Sequence, residues 1–150
     1  MLAALAPDAG VVVVGEQRVT ARPVGWVREE PPQAGPAAAI AAGLPLVTRD
    51  VVVLLAGDLP LLTAEFLDRV VDACRPDAGA VPVDGEGFAQ WLCSAWPTAL
   101  LRAVDWSRSP SLRAGLSDLP FARLAFDTGA AVPWLDCDTP EDLQRARELT

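Results

Sequence analysis

Two aliphatic runs without alternation, Val11-Val12-Val13-Val14 and Val51-Val52-Val53-Leu54-Leu55, set the first constraint on the fold. A strand with one wet face alternates apolar and polar residues, whereas a strand covered on both faces need not. Gly10 and Gly15 bracket the first run, and Ala56-Gly57-Asp58-Leu59-Pro60 follows the second as a turn. Helical segments lie between and after them. Pro36 suits a first helical position, and Ala37 to Leu44 continues with small residues of good propensity. Thr63 caps a helix whose Phe66, Leu67, Val70, Val71 and Cys74 share one face. A last helix starts with Thr139 as cap, Pro140 at its first position, and Glu141 and Asp142 where negative charge complements the dipole. Val24 to Val27, Ala80 to Val83, Phe88 to Trp96, Leu124 to Phe126 and Val132 to Leu135 read as further strands, and Thr98 to Val104 and Pro110 to Leu116 as short helices. Strands alternating with helices predict an α/β fold with a largely parallel sheet. A length of 150 residues without repeats or a linker predicts one domain.

Absent residue types narrow the chemistry. Histidine and tyrosine are missing, and all 12 basic residues are arginine. Ser-His-Asp and Cys-His nucleophile systems are therefore excluded, as are a lysine Schiff base and a lysine-bearing phosphate loop. Carboxylates, a metal, arginines and backbone amides remain. A net charge of −8 with scattered arginines argues against a nucleic-acid polymer as partner. No run of about 18 apolar residues suggests a membrane span. Met1 to Ala6, which reads as the last turn of a helix stopped by Pro7, lacks the basic flank of a signal peptide. Cys74, Cys93 and Cys137 share no metal-like spacing and read as reduced thiols of a cytoplasmic protein. Trp26, Trp91, Trp96, Trp106 and Trp134 are expected mainly to pack in a core or interface.

Three features are candidates for function. Asp58 stands three residues beyond the run ending at Leu55, where open parallel sheets collect ligands; the alternative is a turn aspartate bonding its own backbone. Asp136 and Asp138, separated by one residue, follow an expected strand and precede a helix start. Two such carboxylates repel unless donors or a divalent cation compensate, and helix capping with solvation is the competing explanation. Gly35-Pro36 opens a helix, where free amides attract anions, and Glu29 and Glu30 just before it can accept hydrogen bonds from a base or remain solvated.

In this order, these segments resemble the MobA-like nucleotidyltransferases, which include molybdenum cofactor guanylyltransferase and related cytidylyltransferases. Val11 to Gly15 matches the family's second strand, and Gly35-Pro36-Ala37-Ala38-Ala39-Ile40-Ala41-Ala42-Gly43-Leu44 is similar to its G-P-L-x-G-I-x-x-G-L segment. Ala56-Gly57-Asp58-Leu59-Pro60 resembles its metal-binding D-M-P turn. Asp136-Cys137-Asp138-Thr139-Pro140-Glu141-Asp142-Leu143 matches its N/D-x-N/D-T-P-E-D-L ending. The family's opening strand and its glycine-rich triphosphate loop ending in lysine have no counterpart here. That strand lies centrally in the family's sheet, so the chain is expected to start late or to be a degenerate copy, with two apolar strands lacking a shared partner.

The resemblance implies a Rossmann-like three-layer α/β nucleotidyltransferase fold with a mostly parallel sheet, its first strand missing, over residues 1–150. It further implies a Mg²⁺ ion held by Asp58 and Asp138 with Asp136 nearby, Asp58 carrying the catalytic role. Glu29 or Glu30, with Gly35 and Pro36, would line the nucleotide base. The implied reaction transfers GMP from Mg-GTP to the molybdopterin cofactor and releases pyrophosphate. An acceptor phosphate is already ionised near neutral pH, so the lack of histidine is no obstacle. CTP in place of GTP, or a non-catalytic nucleotide-binding subunit with protein partners in molybdenum cofactor biosynthesis, are the other readings.

Overall fold

The computed structural model describes residues 2–127, 132–135, 137 and 139–148. The first valine run forms β1 (Val12–Val14), which pairs in parallel with β2 (Gly25–Val27). Backbone bonds from Gly25 N–H to Val11 O (2.8 Å) and from Gly15 N–H to Val27 O (2.9 Å) close the ladder at both ends. Pro36 opens α1 (Pro36–Gly43), which runs into a 3₁₀ turn, Leu44–Leu46. The second run is β3 (Val51–Leu55), followed by α2 (Ala64–Ala73). Thr63 caps α2, its side chain accepting from Phe66 N–H at 3.2 Å. Then come β4 (Gly79–Val83), β5 (Cys93–Pro97), α3 (Thr98–Ala103), a 3₁₀ turn at Trp106–Arg108, α4 (Leu112–Leu116), β6 (Phe121–Ala125) and α5 (Pro140–Glu148).

Four strands form the main sheet in the order β3-β5-β4-β6. β5 runs antiparallel to both neighbours and β4 is parallel to β6, so β3, β4 and β6 share one direction and only β5 opposes it. Side chains alternate between two apolar layers, as a pleat requires. Val52, Leu54, Val81 and Trp96 meet Ala37 and Ile40 of α1, Leu101 of α3, and Leu112 and Leu116 of α4. Val53, Leu55, Ala80, Cys93 and Ala95 meet Phe66, Leu67 and Val70 of α2. Helices therefore cover both faces, giving the three layers expected. The Trp96 indole fills its layer because Gly79 lies beneath it: a Cβ there would stand 2.4 Å from the ring. Fully buried Ser94 answers the indole's polar atom, accepting from Trp96 Nε1 at 2.7 Å and donating to Trp91 O at 2.6 Å.

Among the described residues no strand joins β1 to β3, and the two sheets are not hydrogen-bonded to each other. Helix α1 bridges them. On one side Gly43 faces Val12 and Val14 so closely that an added Cβ would lie 3.0 Å from a Val14 methyl, and on the other Ala37 and Ile40 pack with Leu54 and Val52. Arg22 ties the β1–β2 connection to the start of the chain, donating to the carbonyls of Ala6 (2.9 Å), Pro7 (2.8 Å) and Ala9 (2.8 Å). Ala4 and Leu5 pack beside Val53 and Leu55.

Several local expectations are corrected. Val132 to Leu135 is a turn, closed by Leu135 N–H to Val132 O at 3.0 Å, because Pro133 has no N–H for a ladder and Trp134 turns instead onto Phe66 and Phe126. The strand within Phe88 to Trp96 begins only at Cys93; Phe88 is exposed in a turn organised by Asp84, whose carboxylate accepts from Glu86 N–H and Phe88 N–H. On α2, Val71 is exposed while Phe66, Leu67 and Val70 are buried, a narrower stripe than expected. The chain start forms a 3₁₀ turn, Leu2–Ala4. Trp96 and Trp106 are buried, as core tryptophans should be. No helix among the described residues is long and apolar enough to cross a membrane.

Candidate functional site

Asp58 occupies the turn directly after β3. Its neighbours hold it there: Leu59, Leu61 and Leu62 are buried, and Ala56 N–H bonds to Leu92 O at 3.3 Å, carrying the ladder past the strand end. The carboxylate itself is exposed and makes no hydrogen bond or ion pair among the described residues, so the turn does not consume it. An unpartnered carboxylate at a strand's carboxyl end is an oxygen donor that a hard divalent cation accepts. Asp136 and Asp138 lie outside the described residues. No cluster of three or more metal-ligating side chains is found among the residues described.

The chain before these two aspartates is anchored by aromatic contacts, and the chain after them opens a capped helix. Trp134 sits with its ring centroid 6.0 Å from that of Phe66 and 6.3 Å from that of Phe126, while Phe66 and Phe126 are 4.8 Å apart. This aromatic group fastens the segment before Asp136 to α2, the helix that begins six residues after Asp58. After Asp138, Thr139 and Asp142 cap α5 reciprocally: Asp142 N–H donates to Thr139 Oγ1 at 3.1 Å, and Thr139 N–H donates to Asp142 Oδ2 at 3.1 Å.

A second locus is an open cavity of about 960 Å³ at the carboxyl end of β2 and the start of α1. Its lining is alanine-rich, with Ala34, Ala37, Ala38, Ala41 and Ala42. Of the four residues named from the sequence for a nucleotide base, Glu30, Gly35 and Pro36 line this cavity and Glu29 does not. The Glu29 carboxylate instead closes its own loop, accepting from Gln33 N–H at 2.9 Å, and backbone N–H groups of Glu29 and Gln33 hold its pKa below the usual value. That turn takes Gln33 to φ 63° and delivers Gly35 at φ 94°, a conformation that glycine adopts without strain. Asp58 is not among the cavity's lining residues, so the structure does not bring it and the base-pocket candidates into one cavity.

Part of the lining comes from a segment that sequence reasoning missed. Trp106, Ser107, Ser109, Pro110, Ser111, Leu112 and Arg113 complete the cavity, more than 70 residues along the chain from Gly35. Local sequence suggests only a short helix here; the serine- and arginine-rich stretch Ser107-Arg108-Ser109-Pro110-Ser111-Leu112-Arg113 is the available signal. Ser111 caps α4, accepting from Ala114 N–H at 3.2 Å, and Gly115 lies flat on the Trp106 ring. Trp106 Nε1 donates to Leu101 O at 2.9 Å, fixing the ring. Burial pushes the Cys93 pKa up to about 12 and raises that of Cys74 against the opposing charge of Arg75.

Residues 1–120 match the family model of the MobA-like NTP transferase domain. A probable molybdenum cofactor guanylyltransferase from Natronomonas pharaonis is 30% identical over 128 residues, covering 80% of this chain. The chain spans 63% of that relative's length. Among solved structures, a molybdopterin-guanine dinucleotide biosynthesis protein A from Archaeoglobus fulgidus is similar with a TM-score of 0.64 at 18% identity, over 84% of this chain and 68% of that one. A 2-C-methyl-D-erythritol 4-phosphate cytidylyltransferase from Thermus thermophilus reaches 0.62 at 21% identity, over 94% and 81% of the two chains. These two likenesses show the fold.

Proposed function

Because the chain belongs to the MobA-like NTP transferase family, we propose that it serves the transfer of GMP from GTP to the molybdopterin cofactor, releasing pyrophosphate. The observation that carries this reading is the alanine-lined cavity that gathers Glu30, Gly35 and Pro36, residues singled out by sequence as the nucleotide's base pocket. An alanine-rich cavity with a few polar lining groups suits a heterocyclic base. Glu30 accepts hydrogen bonds from ring and amino N–H groups, and Gly35 lets the ligand approach the backbone.

Asp58, with Asp138 and Asp136, would hold a magnesium ion carried in with the triphosphate; one or two carboxylates are what magnesium usually takes from a protein when phosphates and waters complete its shell. When bound, the ion neutralises charge on the phosphate oxygens. The acceptor phosphate oxygen forms a bond to the α-phosphorus of GTP as the α–β bridging bond breaks and pyrophosphate departs. The protein's part is positioning, since the attacking phosphate needs no strong base to ionise it.

Thermal unfolding with nucleotide and Mg²⁺ tests the reading. GTP at roughly 100 times its Kd should stabilise the chain by about 2.7 kcal/mol, and CTP should stabilise it less. Mg²⁺ should add to the GTP effect, and Asp58→Ala and Asp138→Ala should each remove that addition. An unchanged Mg²⁺ response in both variants defeats the shared site. A stronger response to CTP replaces guanylyl by cytidylyl transfer, and GTP binding without pyrophosphate release in the presence of molybdopterin replaces catalysis by a binding role.

A further inference from the structure

Two arginines line the cavity, and they differ in what already occupies them. Arg28 Nη2 lies 3.4 Å from Glu16 Oε1, an ion pair on the protein's outer surface. The Arg113 guanidinium has no hydrogen-bond or ion-pair partner among the described residues, and neither has the Glu30 carboxylate. The cavity therefore counts among its lining residues one unengaged cation, Arg113, and one unengaged anion, Glu30. The segment around Arg113 is also held in place. Leu112 and Leu116 are buried on either side of Arg113, Ser111 caps the turn, and Gly115 rests on the Trp106 ring.

Resting on the reading that a nucleotide base occupies this cavity, we propose that Arg113 is a specificity-determining residue that reads the acceptor edge of guanine while Glu30 reads its donor edge. A guanidinium fork matches two adjacent acceptors, and guanine offers them at O6 and N7. A carboxylate accepts only, and guanine supplies N1–H and the N2 amino group on the neighbouring edge. Cytosine offers a carboxylate only its N4 amino group and not the paired N1–H and N2 donors of guanine, so the Glu30 contact gives a reason for GTP over CTP that does not depend on the phosphates. Neither group must first break an existing bond among the described residues.

Calorimetric binding of three nucleotides to the whole chain separates the contacts: GTP, 7-deaza-GTP (which lacks the N7 acceptor) and ITP (which lacks the N2 amino group). The wild type should bind 7-deaza-GTP roughly tenfold more weakly than GTP. Arg113→Gln should bind the two equally, its affinity for GTP falling to the level of the 7-deaza analogue. Glu30→Gln should keep that difference but weaken the preference for GTP over ITP. Both side chains are exposed, so the variants should keep the wild-type melting temperature. The assignment is overturned if the wild type ignores N7, or if Arg113→Gln weakens GTP and 7-deaza-GTP by one common factor, which would put the guanidinium at the phosphates. If no nucleotide binds the wild type, the pocket reading fails first and this assignment with it.

Discussion

At neutral pH the Glu29 carboxylate holds the Gln33 amide at 2.9 Å and shapes the loop that enters α1, while its neighbour Glu30 lines the cavity. In the sequence these two carboxylates are equivalent, since both precede Gly35 in a loop; only the backbone path of the loop divides their duties. Gln at position 29 retains an oxygen that accepts from Gln33, and Ala does not. Glu29→Ala should therefore weaken nucleotide binding several-fold, with Glu29→Gln close to wild type, read by calorimetry. Because backbone hydrogen bonds lower the folded pKa, the charged group's support of the loop is complete above its ordinary value of 4.5 and is lost as the pH falls through the lower folded value. Glu29→Ala should then remove part of the acid sensitivity of loop order, measurable as amide exchange at Gln33. Asp58 was conspicuous in the sequence as a carboxylate just past an apolar run. Arg113 was not, since nothing in its own segment reveals that it shares a cavity with Gly35.

Among elements, the aliphatic runs and cap-to-helix transitions could be read because each is local: Val51–Leu55, Thr63 ahead of α2, and Thr139-Pro140 ahead of α5 all signal within a few residues. What escaped depends on partners. Val132 to Leu135 has strand composition, yet an aromatic contact with α2 sets its conformation. Gly79, one residue before the strand read at Ala80 to Val83, is the first residue of β4, where the missing side chain makes room for Trp96. Gly79→Ala would drive a methyl into the indole; overpacking of this kind costs about 1–3 kcal/mol, to be read as a lower urea midpoint at constant slope. A variant with an unchanged midpoint would mean that β4 moves freely relative to β5, against the close fit of glycine and indole.

Across the whole molecule, the fold class was legible from alternation of helices and strands, but the order and sense of the strands were not. β5 opposes β3 and β4 although its sequence, Cys93-Ser94-Ala95-Trp96-Pro97, carries no mark of direction. The break between the two sheets has consequences for behaviour in solution. Among the described residues the backbone positions of β3 turned away from β5 have no ladder partner in the sheet order, and Val51 at the start of that margin is 40% exposed. An uncharged, aliphatic border of this sort is a template for another polypeptide in extended form. Sedimentation of the purified chain should show species that grow with concentration, and Val51→Lys should shift the distribution toward the monomer without lowering the melting temperature. A chain that stays monomeric at every loading would mean that side chains alone shield the border. A chain that grows in this way would have its handling, crystallisation and assay set less by its acidic surface than by a short aliphatic seam.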